Sequence, residues 1–271
     1  MNMLIDGETR DTVSASDRGL LFGDGLFETM GFWRGECPLW DRHMHRLLRG
    51  CRMLGLSPPE LERIGEECRV LAEGIERCVI RLTVTRGCGG RGYWPDAAAG
   101  PTRIVQRRAW PKAPDHRVGL KAITSSVRIN LQPALAGLKH GNRLEQILAA
   151  QECQRHGADE ALVFDQKGFL AEAISSNLLL RIGGCWMTPS SPAAVTGVGL
   201  DWLLSESPLE IESSAIKLPQ LAKADSILVI NSISGIRPLG SLDRRELVID
   251  EDCRGLQRHW NQNLIPLCDD C

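Results

Sequence analysis

The chain has 271 residues, of which 43% are apolar and 24% charged, the composition of an ordinary globular protein. Its 32 Lys and Arg against 34 Asp and Glu give a net charge of −2, which argues against a dedicated nucleic-acid binder. No apolar run approaches the ~18 residues of a membrane span, and the N-terminal residues do not resemble a signal peptide. We therefore expect a cytoplasmic protein that has neither nucleic acid nor membrane as a partner.

The ten cysteines are scattered, with no second pair at zinc-ligand spacing. Cys268 and Cys271 form a C-x-x-C pair only at the extreme C-terminus, and His43 and His45 have no acidic or cysteine partner at ligand spacing. In a chain of this size without a signal peptide, the thiols are expected to be reduced. No metal site is predicted.

Apolar periodicity and turn-forming residues predict alternating strands and helices in the first hundred residues. In chain order these are a hairpin of 3–5 with 12–13, a hairpin of 28–33 with 37–40, helices at 41–54 and 58–75, and strands at 78–85 and 103–110. Asp41 is the expected N-cap of the first helix. The glycine-rich segment 87–92 is either a flexible hairpin tip or a mobile loop that brings Arg91 or Tyr93 to a ligand.

A short Pro-rich segment at 111–117 is predicted to link two domains. We expect a mixed α/β (α+β) protein with a small N-terminal α/β domain at 1–110 and a larger C-terminal domain at 118–271, rich in antiparallel sheet. The elements expected in the second domain are strands at 118–125, 160–165, 209–212 and 226–230, helices at 142–155 and 251–263, and hairpin turns at 166–168 and 183–184. Clefts between domains are common ligand sites.

Lys139 differs from the other five lysines, because it follows an apolar, glycine-containing stretch and precedes a helix start. Partial burial is expected there, and burial lowers the pKa of a lysine and makes its neutral amine available for Schiff-base chemistry. An ordinary structural lysine is the alternative.

Two further features favour the chemical role. Glu172 lies in an otherwise apolar, strand-like run, so it is either at an exposed edge or paired. The segment 195–200 begins a helical pattern with a glycine near its start, and a helix N-terminus suits a phosphate. A lysine, a buried carboxylate and a phosphate-binding turn are the parts that a pyridoxal phosphate site needs.

Several motifs resemble those of the fold-type IV pyridoxal-phosphate enzymes, the class of the branched-chain and D-amino acid aminotransferases. They are SDRGLLFGDGLFET at 16–29, His43-x-x-Arg46-Leu47, EAISSN at 172–177, Gly197-Val198 and Ser232-Ile233. Within the class, RGCGGRGY at 86–93, GLKHGNRLEQ at 137–146 and Thr29 most resemble the aminodeoxychorismate lyases. Leu179 departs from the class pattern, which usually has an aromatic residue there, and Leu200 stands where a basic residue usually follows the phosphate turn.

The resemblance implies the two-domain fold of these enzymes, with pyridoxal 5'-phosphate as the cofactor. It places the Schiff-base lysine and general base at Lys139, in the larger C-terminal domain, and the carboxylate that pairs with the pyridine nitrogen at Glu172. Thr29 is the implied catalytic hydroxyl. The phosphate contacts implied are Arg46, Gly197, Val198, Ser232 and Ile233, and the substrate residues considered are Arg91 and Tyr93.

The implied reaction converts 4-amino-4-deoxychorismate to 4-aminobenzoate and pyruvate in folate biosynthesis, catalysed by a homodimer. One alternative is an aminotransferase that acts on D-amino or branched-chain amino acids. Thr29 separates the two, because the lyases carry threonine where the aminotransferases have glycine or valine, although the residue also suits a strand. A non-catalytic binding module is a second alternative, against which the intact Lys139 and Glu172 argue.

Overall fold

The computed structural model describes residues 2–111 and 118–264. These residues form two compact units, one of 2–111 together with 138–142, and one of 118–137 together with 143–264. All but Pro111 of the predicted linker, and the Cys268-x-x-Cys271 pair, lie outside the described residues. No helix in the described ranges is both long and apolar enough to span a membrane.

The first unit consists of a four-stranded antiparallel sheet and three helices in its described part. Its elements are β1 (Met3–Ile5), α1 (Arg18–Phe22), β2 (Gly25–Trp33), α2 (Trp40–Leu54), α3 (Leu61–Ala72), β3 (Arg77–Thr85) and β4 (Thr102–Ala109). The strand order is β1-β4-β3-β2. Alternate residues of β2 and β3, such as Met30 and Leu82, form one core with Leu47 and Ile64 of the helices, because every second side chain of a strand points to the same face of the sheet.

The strand pairing predicted for the two N-terminal hairpins is wrong. The chain turns after β1 and after β2 as expected, with bridges Ile5–Glu8 and Trp33–Glu36, but β1 pairs with β4 and β2 with β3. β2 and β3 pair over nine residues inside a four-stranded sheet, whereas an isolated short hairpin is only marginally stable. Asp41 is also not the N-cap of α2; it lies in the first turn, after Leu39.

The segment Leu138–Asn142 belongs to the first unit, whereas the resemblance placed Lys139 in the C-terminal domain. The reason is backbone pairing with β2. The N–H of Phe27 donates to the carbonyl of Lys139 at 3.0 Å, and the N–H of Gly141 donates to the carbonyl of Gly25 at 2.9 Å. The segment thus continues the edge of the first sheet, and β2 fixes the backbone of the lysine.

The second unit contains a nine-stranded mixed sheet in its described part. Its elements are β5 (Leu120–Ile129), α4 (Leu144–Arg155), β6 (Glu160–Asp165), β7 (Leu170–Ala173), β8 (Asn177–Ile182), β9 (Cys185–Pro189), α5 (Val198–Glu206), β10 (Ile211–Ser214), α6 (Leu218–Leu221), β11 (Ser226–Asn231), β12 (Gly235–Leu242), β13 (Arg245–Glu246) and α7 (Glu251–Asn263). A 3₁₀ turn, Pro133–Leu135, precedes the segment that joins the first unit.

The strand order is β10-β9-β8-β11-β12-β5-β6-β7, and β13 pairs with β12. Three neighbouring pairs are parallel, β9 with β10, β5 with β12 and β5 with β6, and the others are antiparallel. Leu178 and Leu180 of β8 are fully buried in the core with Leu239 of β12. Leu179, which departs from the class pattern, is also fully buried. The predicted fold class, mixed α/β with much antiparallel sheet, is confirmed.

Candidate active site

Lys139 is half-buried, as its sequence context predicted. Its Nζ lies 4.7 Å from the centroid of the Phe27 ring on β2. The other four lysines that the structure describes are exposed, namely Lys121, Lys167, Lys217 and Lys223. Lys139 is therefore the one lysine within 2–111 and 118–264 that is partly shielded from water and held in place through its own backbone.

The face of β2 that carries Phe27 also carries Thr29, since residues two apart in a strand point to the same side. Thr29 is paired with Arg81 of β3, whose guanidinium carbon lies 4.0 Å from the Phe27 ring centroid. Burial lowers the pKa of Arg81, and the charge of Arg108 adds to the effect. The Phe27 ring thus contacts the Lys139 amine and the Arg81 guanidinium. The sequence did not predict Arg81, because a basic residue in an alternating strand is typical of a solvent-facing position.

The other face of β2 carries Glu28, which contacts α2. Glu28 is almost fully buried, and both oxygens are bound by Arg46: Nε donates to Oε1 at 2.8 Å, and one terminal nitrogen donates to Oε2. His43 Nδ1 lies 2.7 Å from Oε2. Burial alone raises the pKa of Glu28, but the charge and hydrogen bonds of Arg46, with the His43 bond, outweigh it and lower the pKa to about 2.

His43 is the neutral member of this cluster. Burial lowers its pKa more than the bond to Glu28 raises it, and the charges of Arg46 and Lys139 lower it further. The neutral ring donates its Nδ1 proton to Glu28, and its buried Nε2 has no hydrogen-bond partner among the described residues. The cluster therefore contains one carboxylate, one guanidinium and one neutral imidazole.

The pH dependence of stability tests this assignment. Because the folded pKa of His43 lies below 6.5, the unfolded chain takes up a proton below that pH which the native protein does not. His43 therefore makes the free energy of unfolding fall with decreasing pH, by at most about 1.4 kcal/mol per pH unit, from 6.5 downward. Glu28 adds a second decline below its unfolded pKa of 4.5. In urea titrations, His43→Gln should flatten the decline between these two pH values.

His45 provides the matched control, since it is an exposed histidine on the same helix. His45→Gln keeps His43 and Glu28, so it should retain the decline between these two pH values. A His43→Gln profile identical to that of the parent would mean that the native imidazole titrates normally.

Arg46 binds Glu28 through Nε and one terminal nitrogen of its guanidinium. Any phosphate that it binds must therefore contact the side of the guanidinium that carries the two terminal nitrogens. Its removal leaves a buried carboxylate uncompensated, so Arg46→Ala should lower the free energy of unfolding of the apoprotein by about 3–5 kcal/mol. Adding Glu28→Gln should restore part of this loss. The predicted phosphate role requires, in addition, a weaker cofactor affinity that the second substitution does not restore. Unchanged affinity in the double variant would limit Arg46 to a structural role.

The glycine-rich loop is held by Arg18, a buried residue of the N-terminal motif. Its guanidinium donates to the carbonyl of Gly92 at 2.8 Å and to that of Tyr93 at 3.3 Å, and its Nε donates to Asp24 at 3.0 Å. The loop backbone is thus fixed, which favours an ordered loop over a flexible tip. The side chains of Arg91 and Tyr93 are exposed, and the Tyr93 ring packs against Phe22 at 5.5 Å between centroids.

Glu172 lies on β7, where it is buried and hydrogen-bonded rather than exposed at a sheet edge. Gln146 Nε2 of α4 donates to its Oε1 at 3.3 Å, and the backbone N–H of Val195 donates to its Oε2 at 2.8 Å. Both donors are neutral. These two hydrogen bonds orient the carboxylate.

The segment before α5 is fixed by Asn177 as well. Asn177 Nδ2 donates to the carbonyl of Val195 at 3.0 Å, and a Cβ added to Gly197 would lie only 1.7 Å from Asn177 Oδ1. Glycine is therefore required at 197, which is the N-cap of α5 and provides no side-chain cap. Val198 begins the helix, as the sequence predicted.

Asn231 fixes the turn after β11, where Ser232 and Ile233 lie. Its Oδ1 accepts from the N–H groups of Ile233 at 3.0 Å and Ser234 at 2.7 Å, while its Nδ2 donates to Ser176 Oγ at 3.0 Å. The Ile233 amide is thus already bound within the chain, so a phosphate contact through that N–H would require Asn231 to release it.

The sequence profile of the family described as Amino-transferase class IV matches residues 25–242. The crystal structure of 4-amino-4-deoxychorismate lyase from Pseudomonas aeruginosa has a TM-score of 0.90 and 35% identity, covering 96% of this chain and 98% of that one. The aminodeoxychorismate lyase of Vibrio harveyi is 28% identical over 96% of this chain and 98% of its own length. A putative branched-chain-amino-acid aminotransferase of Methanocaldococcus jannaschii is 30% identical over 86% of this chain and 83% of its own length.

The family match covers both units, and it includes β2, the Lys139 segment, Glu172 and the turn after β11. The resemblance that the sequence motifs indicated is confirmed at this level. The chain belongs to the class IV aminotransferase family, and it is a pyridoxal-phosphate-dependent enzyme.

Proposed function

We propose that the protein is a lyase that converts 4-amino-4-deoxychorismate to 4-aminobenzoate and pyruvate, a step of folate biosynthesis. The observation that carries this proposal is Thr29 on the face of β2 that holds Phe27, whose ring contacts Lys139. Residue 29 carries a hydroxyl there, whereas the resemblance implies glycine or valine at this position in aminotransferases. The similarity to two aminodeoxychorismate lyases over nearly the whole chain supports the same reaction.

The described residues fit pyridoxal phosphate. A half-buried lysine can hold its aldehyde, and a buried carboxylate with two neutral donors can hold the proton of its pyridine nitrogen. Gln146 Oε1, beside that carboxylate, is a buried acceptor with no partner in the part of the chain that is described. Gly197 lacks a Cβ where one would collide with Asn177, which leaves a backbone turn at the start of α5 for the phosphate.

When bound, pyridoxal phosphate supplies an aldehyde for the substrate amine and a protonated ring that takes up an electron pair. Lys139 Nζ then removes the proton from the substrate ring carbon that bears the nitrogen. Glu172 keeps the pyridine nitrogen protonated throughout. The carbon–oxygen bond to the enolpyruvyl group then breaks and the substrate ring becomes aromatic. The released enolpyruvate takes up one proton, which balances the proton that Lys139 removed, and becomes pyruvate.

Thr29 assists the departing oxygen. Its hydroxyl donates a hydrogen bond or relays a proton to the leaving group, which neither glycine nor valine can do.

The substrate has two carboxylates, and a planar guanidinium matches a carboxylate. Arg81, half-buried beside Phe27, is a candidate in addition to Arg91 and Tyr93, whose exposed side chains lie on the glycine-rich loop.

Thr29→Val keeps the shape of the side chain and removes the hydroxyl, so it tests the lyase assignment. We expect it to bind cofactor and substrate normally and to release 4-aminobenzoate about 10²–10⁴-fold more slowly. Thr29→Ser retains a hydroxyl and should recover much of the rate. A Thr29→Val enzyme with the parent rate would show that Thr29 has only a structural role in the strand. Lys139 or water would then donate the proton to the leaving group.

The second candidate is an aminotransferase, which the branched-chain aminotransferase relative supports. It predicts exchange of amine with glutamate and 2-oxoglutarate, whereas the lyase needs no oxo-acid.

We further propose a cytoplasmic homodimer. Leu144, Ile147 and Leu148 give α4 an apolar stripe that is 50% to 74% exposed, and a second copy would cover such a surface. Sedimentation should give twice the mass of the chain.

A further inference from the structure

Gln146 is a side-chain donor to the carboxylate of Glu172. Gln146 is the third residue of α4, and its Nε2 donates to Oε1 at 3.3 Å, while Val195 N–H occupies Oε2. The two bonds together determine the plane in which the carboxylate lies. The proposed mechanism does not use Gln146.

The orientation of the Gln146 amide is informative. An ionised carboxylate only accepts hydrogen bonds, so the NH₂ end of the amide must face it. The oxygen end is then left buried, with no hydrogen-bond partner in the described ranges. The Gln146 side chain thus donates to Glu172 while its own oxygen accepts no hydrogen bond from the described residues. A buried, unsatisfied acceptor costs free energy, so we expect the bond to Glu172 to have a functional role.

The chemistry of glutamine suits this position. A lysine or arginine would also keep the carboxylate ionised, but its charge would oppose a protonated pyridine ring nearby. A glutamate would share a proton with Glu172, because two adjacent carboxylates do not both ionise readily. A neutral donor of this length supports the negative charge without adding a charge of its own.

We propose that Gln146 is a positioning residue that keeps Glu172 ionised and oriented, and so sets the protonation of the cofactor's pyridine nitrogen. This inference rests on the proposed role of Glu172. It gives a role to Gln146, a residue of the lyase-like motif at 137–146 that the proposed mechanism does not otherwise use.

The test uses two near-isosteric variants of the holoenzyme, Gln146→Met and Gln146→Glu, with cofactor labelled with ¹⁵N in the pyridine ring. The ¹⁵N chemical shift should move toward that of a neutral pyridine in both, and further in Gln146→Glu. Cofactor affinity should fall about three- to tenfold in Gln146→Met and at least about tenfold in Gln146→Glu. Gln151→Glu, on the exposed side of α4, makes the same charge change and should alter neither quantity.

Thermal unfolding of each apoprotein separates positioning from folding, since the expected ¹⁵N shift does not depend on a lowered melting temperature. Equal effects of Met and Glu on affinity, with an unchanged ¹⁵N shift, would overturn the inference and leave Gln146 a packing residue. Glu172→Gln serves as the reference. If it shifts the ¹⁵N signal and the Gln146 variants do not, only this inference fails; if it does not, the role of Glu172 fails as well.

Discussion

Lys139→Ala should lower turnover by about 10⁴-fold or more, because one substitution removes the amine that we propose both as the cofactor attachment point and as the general base. The backbone of residue 139 pairs with β2 through its carbonyl, so the shortened side chain should leave the local fold intact. The measurement is the steady-state rate of 4-aminobenzoate release with saturating cofactor. Small primary amines added to the variant should restore part of the rate, since they replace the missing base.

Lys121 supplies the control, because it is an exposed lysine on β5. Lys121→Ala should retain full activity. Borohydride reduction of the parent holoenzyme, followed by peptide mapping, should place the cofactor on Lys139. Reduced cofactor on another lysine, or an active Lys139→Ala enzyme, would contradict the assignment.

Glu172→Gln should reduce turnover by about 10²–10³-fold while the cofactor stays bound. A carboxamide cannot hold the pyridine proton as a carboxylate does. It also has only one acceptor oxygen, whereas Gln146 and Val195 each donate to a separate oxygen of Glu172. The absorbance of the bound cofactor and the rate of product release give the two readouts.

Glu212, an exposed glutamate on β10, is the matched control. Glu212→Gln should be indistinguishable from the parent. A Glu172→Gln enzyme with full activity would show that the electron pair is stabilised without this carboxylate.

The sequence predicted those elements whose pattern is local and uninterrupted. The strand β3 lies in an alternating run, the strand β6 contains a short continuous apolar run, and the helix α7 follows an unbroken helical period. The strand β12 was missed, because Arg237, Pro238 and Gly240 interrupt its apolar pattern. Strand partners were also mispredicted in the first unit, because partner choice depends on burial against residues far away in the chain.

The same distinction applies to the candidate site. Lys139 and Glu172 could be singled out because each stands in an apolar context. Glu28 also lies in a largely apolar run, and the reasoning applied to Glu172 could have identified it as a buried, paired carboxylate. Its partners His43 and Arg46 are 15 and 18 residues away, so only the packing of α2 on β2 reveals them. Arg81 had no such signal.

The most direct test of the proposed activity is the product balance of the purified holoenzyme with 4-amino-4-deoxychorismate as the only substrate. The lyase account predicts one 4-aminobenzoate and one pyruvate for each substrate consumed, over many turnovers and without any added oxo-acid. Formation of neither product, together with amine exchange that depends on 2-oxoglutarate, would contradict it and assign the protein to the aminotransferases.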